Sequence, residues 1–313
     1  MTEDPYSAID FLTNMFAYQL KSGMLPDWVD YYNVNYLSCK PGIQGFALLY
    51  LLKHSDIASI LDGDMCEKLY VPFSRWTNFW LEHRAADREG VVRYFHVDEC
   101  GWDGSTIFNE GLPVEAPDLM AFVICLMDAC AWLARGCKRF EEAVNWEEKS
   151  AFMLNTLVNE FWDGKRFVAK NPRTGKAVSS ASIACYQPII LGKKLPEHII
   201  DAITEAIMSD EYFTEIGLVS EPVTDVDSKA QASYVSGQVI APIQMLMSAG
   251  LVEAGKTEEA KRICRAFCDR MNEKGVYLGF DPNGKEPAGD YLPWASWGAA
   301  CFLAMAGTIL ADK

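Results

Sequence analysis

An all-α fold, a ring of paired helices, is predicted for this 313-residue chain, and three observations predict it. Ten stretches carry apolar residues at the three- and four-residue spacing that gives a helix one oily stripe. Almost no stretch alternates apolar and polar residues as a half-buried strand would. Long polar loops recur at intervals between the helix pairs, whereas a four-helix bundle keeps its loops short.

The first helix covers residues 5–22, with Ile9, Leu12, Met15, Phe16 and Leu20 in register and Gly23 as its stop. An extended loop, Met24-Leu25-Pro26-Asp27, follows, and Pro41 and Gly42 then open a helix over 43–54. A third helix, about 62–84, turns Leu69, Phe73, Trp76, Phe79 and Trp80 inward. Residues 87–111 make a long aromatic loop, and long ordered loops in helical proteins tend to carry function. After Pro117, Leu119, Phe122, Val123, Leu126, Met127 and Leu133 mark one helix. Val144, Ala151, Leu154, Leu157 and Phe161 mark the next, paired with it antiparallel through a short turn at Gly136. Asp163-Gly164 and Thr174-Gly175 suit a small hairpin between 162 and 180. Helices near 182–193, 196–210, 237–249, 257–271 and 295–310 complete the set, broken by polar loops at 217–233 and 276–294. No linker divides the chain, so a single domain over 1–313 is expected.

The 28 basic and 43 acidic residues give a net charge of -15, which repels phosphate backbones and anionic membranes. Nucleic acid and membrane are therefore excluded as expected partners. No apolar run reaches the ~20 residues of a membrane span. The polar, acidic N-terminus does not read as a signal peptide, and several of the ten cysteines, such as Cys125, Cys130, Cys264 and Cys268, lie in apolar helical runs. A reducing cytoplasm with free thiols is expected. There is no CxxC pair, and His54, His83, His96 and His198 are far apart, so neither a metal nor another cofactor is expected. Asp225-Val226-Asp227 invites a calcium reading, but no further oxygen ligands stand at coordinating spacing.

The segment Glu99-Cys100-Gly101-Trp102-Asp103-Gly104-Ser105 is built like a site: two acids, an indole and a hydroxyl around two glycines, with no helical or strand period. In a carbohydrate site an indole stacks on a sugar's apolar face, and an acid desolvated beside it can protonate a leaving oxygen. The same residues also suit a turn cap and a core tryptophan, and from this segment alone both readings stand.

Six segments, in order, resemble the clan of (α/α)6-barrel glycoside hydrolases that holds families 63 and 37, including mannosylglycerate hydrolases and trehalases. They are Tyr18-Gln19 through Gly23-Met24-Leu25-Pro26, Lys40-Pro41-Gly42-Ile43-Gln44-Gly45, and Arg93-Tyr94-Phe95-His96 through Trp102-Asp103. Ala116-Pro117-Asp118-Leu119, Ser233-Tyr234 through Ala241-Pro242, and Phe280-Asp281-Pro282-Asn283-Gly284 with Trp294 complete them. The resemblance implies an inverting glycosidase of small α-linked saccharides, with Asp103 as general acid. It places Gln44, Tyr94, His96, Glu99, Trp102, Asp118, Tyr234, Gln238 and Trp294 about the sugar, where polar groups meet hydroxyls and rings stack. Each has a plain structural alternative: Asp118 suits a helix start, and His96 a loop hydrogen bond. Of Trp294 and Trp297, one reads as core and the other as a stacking wall.

The chain departs from the pattern at three points. The resemblance puts the general base three residues before Asp281-Pro282, where this chain has Leu278, which takes no proton. Glu221, Asp281 and Asp290 are the acids in neighbouring loops that could replace it; Asp281 also suits a turn before Pro282. Ser236 and Ile240 stand where the family has arginine and tryptophan, which implies a changed pocket. The chain also begins after the family's first helix pair, so a toroid shortened at its N-terminus is expected, with a homo-oligomer left open. A glycoside hydrolase, a sugar-binding pseudoenzyme and, by fold analogy alone, a sugar isomerase or epimerase are the competing functions.

Overall fold

The structure, a computed structural model, describes residues 4–85, 88–222, 235–282, 287 and 296–311. Among these residues nine α-helices form: α1 Pro5–Thr13, α2 Ile43–His54, α3 Gly63–His83, α4 Pro117–Gly136, α5 Phe140–Phe161, α6 Glu197–Ile207, α7 Ala241–Glu253, α8 Thr257–Lys274 and α9 Ser296–Leu310. The strands are all two residues long: β1 Trp28–Val29, β2 Val34–Asn35, β3 Arg93–Tyr94, β4 Val114–Glu115, β5 Lys170–Asn171, β6 Lys176–Ala177, β7 Phe213–Thr214, β8 Gly217–Leu218, β9 Val239–Ile240 and β10 Gly279–Phe280. The chain falls into two compact units, Met1–Gly101 with Leu112–Glu160, and Trp102–Gly111 with Phe161–Lys313.

In the first unit α4 is the centre. It packs against both α2 and α3, and nearly every side chain from Pro117 to Ala134 is buried. Contrary to the expectation from the sequence, α4 is long and apolar enough to cross a membrane by length and composition. Most of it is buried inside the unit, as in the core helix of a packed protein. Trp76 and Trp80 of α3 pack edge to face, 5.3 Å between ring centroids, and both are fully covered. The Tyr70 hydroxyl donates to Glu142 at 2.6 Å and accepts from the Trp146 indole at 3.0 Å, joining α3 to α5. Ser150 donates to Asp128 at 2.7 Å and so ties α5 to α4, the pair expected from the turn at Gly136.

The approach of α2 to α4 depends on Gly45. A Cβ built there would stand 2.4 Å from the Leu126 amide nitrogen and 2.6 Å from the Cys125 carbonyl carbon, which are backbone atoms of a buried helix with no freedom to retreat. Gly45→Ala is expected to cost about 3 kcal/mol or more through forced separation of the two helices. Gly307→Ala, where nothing lies within 4 Å, should leave stability unchanged or raise it by about 0.5–1 kcal/mol. Denaturant midpoints of the two variants check this, and equal midpoints would refute the close approach.

In the second unit α7 packs on α8 and α9, and α8 on α9. The helix expected near 182–193 is a 3-10 helix over Gln187–Lys194, interrupted at Gly192 (φ 55°, ψ -135°). There the chain turns against α7, where a Cβ would lie 2.6 Å from that of Glu253. Apolar periodicity identifies the buried face but does not distinguish three residues per turn from 3.6 over so short a run. The first helix likewise ends early, at Thr13, and continues as a 3-10 turn to Tyr18 in which no residue is buried. The expected small hairpin forms from β5 and β6, Lys170 facing Ala177.

Candidate active site

In the first unit, β3 pairs antiparallel with β4, Arg93 opposite Glu115 and Tyr94 opposite Val114. The Arg93 guanidinium holds Glu115 Oε1 at 3.1 Å through Nη2, which fixes the strand leading into Pro117 and α4. Proline at the helix start sacrifices no hydrogen bond, because the first N–H groups have no partner within the helix. Asp118 follows, fully buried, and accepts the Tyr94 hydroxyl on Oδ2 at 2.8 Å. Burial pushes the Asp118 carboxyl up to about 7 against the opposing pull of that hydrogen bond, and pushes the Tyr94 hydroxyl well above its ordinary value.

Glu99, 1% exposed, is fully engaged. Its Oε2 accepts from the backbone N–H of Phe95 at 2.6 Å and of His96 at 3.2 Å, while Oε1 meets Arg84 Nη2 at 2.8 Å. Arg84 in turn lies over the Phe95 ring, 5.2 Å from its centroid. The carboxylate thereby pins the 95–99 loop to the end of α3. His96 is exposed, and its Nδ1 accepts from the Asp98 N–H at 3.2 Å, so in the neutral ring the hydrogen sits on Nε2. Gln44, the second residue of α2, accepts the Trp76 indole N–H on Oε1 at 3.1 Å. Because an indole only donates, this bond assigns the amide orientation and leaves Nε2 as a donor.

The second unit begins inside the motif, at Trp102. Gly101 (φ 76°) and Gly104 (φ 81°) flank Trp102-Asp103 in the left-handed region, which a side-chain-bearing residue rarely enters. Trp102 is buried and Asp103 partly exposed, and the Ser105 N–H closes a turn onto the Trp102 carbonyl at 2.9 Å. Beyond the turn is a run of hydroxyls, buried at Ser105, Ser180 and Ser182 and half-buried at Thr106. Ser105 donates to Ser182 at 2.8 Å, and the Thr106 and Ser180 hydroxyls lie 2.7 Å apart. Glu221, also buried, accepts on one oxygen from both the Thr106 N–H at 2.8 Å and the Thr106 hydroxyl at 3.2 Å. Since Thr106 spends its single hydroxyl hydrogen on the carboxylate, the Ser180 hydroxyl donates to Thr106.

Glu221 is itself held from behind. Ser220 N–H donates to the Gln238 carbonyl at 2.9 Å, and the Ile183 N–H donates to the Ser220 carbonyl at 2.8 Å. Gln238, half-buried, precedes β9, which pairs antiparallel with β10, Ile240 opposite Gly279. Leu278 is 8% exposed and its carbonyl accepts from Ala241 N–H at 2.8 Å. The position at which the resemblance expects a base is thus an aliphatic side chain packed beside the sheet. Asp281 follows β10 and is partly exposed.

The structure therefore brings Glu221 to the Asp103 loop within one unit, and Tyr94 to Asp118 within the other. Tyr234, Trp294 and Asp290, with Asp225 and Asp227 of the calcium reading, lie outside the described residues. Sequence reasoning missed Ser105, Thr106, Ser180 and Ser182 as a set. Their only sequence signal is a clustering of hydroxyls at Ser179-Ser180-Ala181-Ser182, which a hairpin end explains equally well.

The family model for the mannosylglycerate hydrolase MGH1-like glycoside hydrolase domain matches residues 2–291. Among solved structures, the family 63 mannosylglycerate hydrolase from Thermus thermophilus in complex with Tris and D-glycerate is similar at TM-score 0.78 and 15% identity, covering 96% of this chain and 90% of that one. The same enzyme in complex with glucose is similar at TM-score 0.71 with the same identity and coverage. Neutral trehalase from Saccharomyces cerevisiae is similar at TM-score 0.57 and 15% identity over 69% of this chain and 42% of that one. A sequence search of curated proteins finds no significant match. With a family match over nearly its whole length and the helical architecture of these neighbours, the chain belongs to the MGH1-like glycoside hydrolase domains and has a fold of the (α/α)6 toroid class.

Proposed function

We propose that this glycosidase hydrolyses a small α-linked saccharide or glucoside with inversion, Asp103 acting as general acid and Glu221 as the base that activates water. Asp103 gives its proton to the glycosidic oxygen as the bond to the anomeric carbon breaks. Glu221 takes a proton from the water that attacks the opposite face, and an inverting pair of this kind stands ~6.5–9.5 Å apart to leave room for that water. The observation that carries the reading is the pair of hydrogen bonds to the buried Glu221 carboxylate from Thr106, which stands three residues after Asp103. Glu221 takes the role for which Leu278 has no chemistry.

Trp102 and Gln238, in the same unit as Asp103 and Glu221, serve the substrate through the indole and the side-chain amide. Small ligands in the Thermus thermophilus enzyme, glucose and D-glycerate, support a small carbohydrate as substrate. Proton NMR of the first product formed from a panel of α-glucosides tests the reading. The β-anomer is expected first; the α-anomer would exclude inversion, and no product from any member would exclude the hydrolase.

A further inference from the structure

Gln187 is a polar side chain that the interior of the second unit leaves without a partner. It is 0% exposed, and neither its Oε1 nor its Nε2 meets a hydrogen-bonding group among the described residues. Water bonds both ends of such an amide in the unfolded chain, so burying it bare costs stability at each end. Another buried glutamine of the same unit shows the contrast. Gln244 accepts from the Leu218 N–H and donates to the Leu218 carbonyl, both at 2.7 Å. A glutamine kept at such a cost points to a partner that the described residues do not supply.

Its place in the chain ties it to the two proposed catalytic carboxylates, and every link lies within the second unit. The Ile183 N–H donates at 2.8 Å to the carbonyl of Ser220, the residue before Glu221. Ser182, which accepts the hydroxyl of Ser105 beside the Asp103 turn, caps the Ala184 N–H at 3.3 Å. The 3-10 turn Ile183–Cys185 therefore starts against both loops, and Gln187 opens the 3-10 helix that follows. Two flanks of this segment are closed. The Tyr186 ring stands edge-on to Tyr212, 5.3 Å between centroids, and the Tyr212 hydroxyl donates to the Ala181 carbonyl at 2.9 Å. On the other flank a Cβ built at Gly250 of α7 would lie 2.7 Å from the Ile189 carbonyl oxygen. At three residues per turn Gln187 shares its face with Ala184, and the Cα–Cβ bonds of a helix tilt toward its N-terminus. The amide is thereby directed past a methyl group toward the end where Ser182 and Ser220 lie.

From this placement we infer that Gln187 recognises the sugar: its amide takes two neighbouring ring hydroxyls, one donating to Oε1 and the other accepting from Nε2. The inference deepens the hydrolase reading and rests on it for the identity of the site. An amide presents an acceptor and a donor side by side whichever way round it lies, which matches a pair of adjacent hydroxyls. The hydroxyls of Ser105, Thr106 and Ser180 are spent on Ser182, Glu221 and Thr106, whereas the Gln187 amide is not spent on the protein. A buried group of this kind is selective, because a sugar without the matching hydroxyl leaves the amide bare again.

The test titrates methyl α-glucoside and methyl α-mannoside, with each monodeoxy form of whichever binds, calorimetrically into wild type, Gln187→Leu and Gln187→Met. Both variants replace the bare amide by an apolar side chain of similar volume, so they should melt no lower than wild type. The parent sugar should bind about ten- to a hundredfold more weakly to the variants. On a deoxy sugar that lacks a hydroxyl held by the amide, wild type and variants should agree within about twofold, since that contact is already gone. The remaining deoxy sugars should keep the full difference. Equal loss on every deoxy sugar, no loss on the parent, or no binding of either parent to wild type overturns the proposal. Variants that melt lower and bind equally, or that do not fold, make Gln187 a part of the core, which also overturns it. The same proteins are assayed on aryl α-glycosides. The deoxy pattern without turnover by wild type leaves the recognition by Gln187 standing and removes the hydrolase reading, whereas turnover without the pattern does the reverse.

Discussion

Asp103→Asn is expected to lower kcat/KM on an aryl glycoside with a poor leaving group by about a hundred- to ten-thousandfold, and far less on a 2,4-dinitrophenyl glycoside. Asparagine matches the shape of aspartate but has no acidic proton, so the leaving oxygen must depart as an anion. A phenol bearing nitro groups tolerates that departure and an unactivated alcohol does not. The fold should survive, since Asp103 is partly exposed and the turn around it is set by Gly101, Gly104 and the Ser105-to-Trp102 backbone bond. Melting curves for the variant and wild type should coincide, so lost turnover reports chemistry. Turnover intact on the poor leaving group removes Asp103 as the acid, and uniform loss across leaving groups gives it a different role.

The helical ladder was legible because it is written locally. Trp76 and Trp80 on α3, and Leu119, Phe122, Val123 and Leu126 on α4, stand at spacings that bury one face, and the structure buries them. Pro41-Gly42 and Ala116-Pro117 punctuate the chain where α2 and α4 start, whereas Gly23, expected to stop the first helix, lies beyond the end of the 3-10 turn at Tyr18. What failed was helix type where few residues commit to it. The turn at Asn14–Tyr18 and the 3-10 helix at Gln187–Lys194 have apolar spacing that either helix type can satisfy. In the second case the decision comes from Glu253 meeting Gly192, 61 positions away, a contact that no local pattern encodes.

The site divides in the same way. The Gly-Trp-Asp-Gly turn was legible because two glycines around an acid imply left-handed backbone and an ordered loop. The partners of that loop were not. Thr106 finds Glu221 115 positions on, and Ser105 finds Ser182 77 positions on, through hydrogen bonds formed by side chains that are ordinary in any loop. Glu99 and Asp118 drew attention as acids near a site. Their surroundings show what else such acids do: Glu99 staples a loop to Arg84, and Asp118 sits fully buried under Tyr94. A carboxylate in a motif identifies a position, and only its hydrogen-bond partners identify its task.

Glu221→Gln should separate a base from a brace, and it is expected to lower kcat by about a hundred- to ten-thousandfold on every substrate, whatever the leaving group. Glutamine can still accept from the Thr106 N–H and hydroxyl through its own Oε1, so the link to the Asp103 loop persists. Its amide cannot take a proton from water. Adding azide, which needs no deprotonation to attack, should restore turnover of an activated glycoside and yield the glycosyl azide of inverted configuration. Thr106→Val keeps the N–H bond and loses the hydroxyl, and should cost about ten- to a hundredfold, since a hydrogen bond to a charged carboxylate contributes about 1.5–3 kcal/mol. If Glu221 merely holds the acid loop in place, the pattern reverses. Glu221→Gln then costs little, any loss follows the leaving group as it does for Asp103→Asn, and azide restores nothing. The two single variants and their double distinguish these cases, because residues serving one step lose less together than the sum of their separate losses.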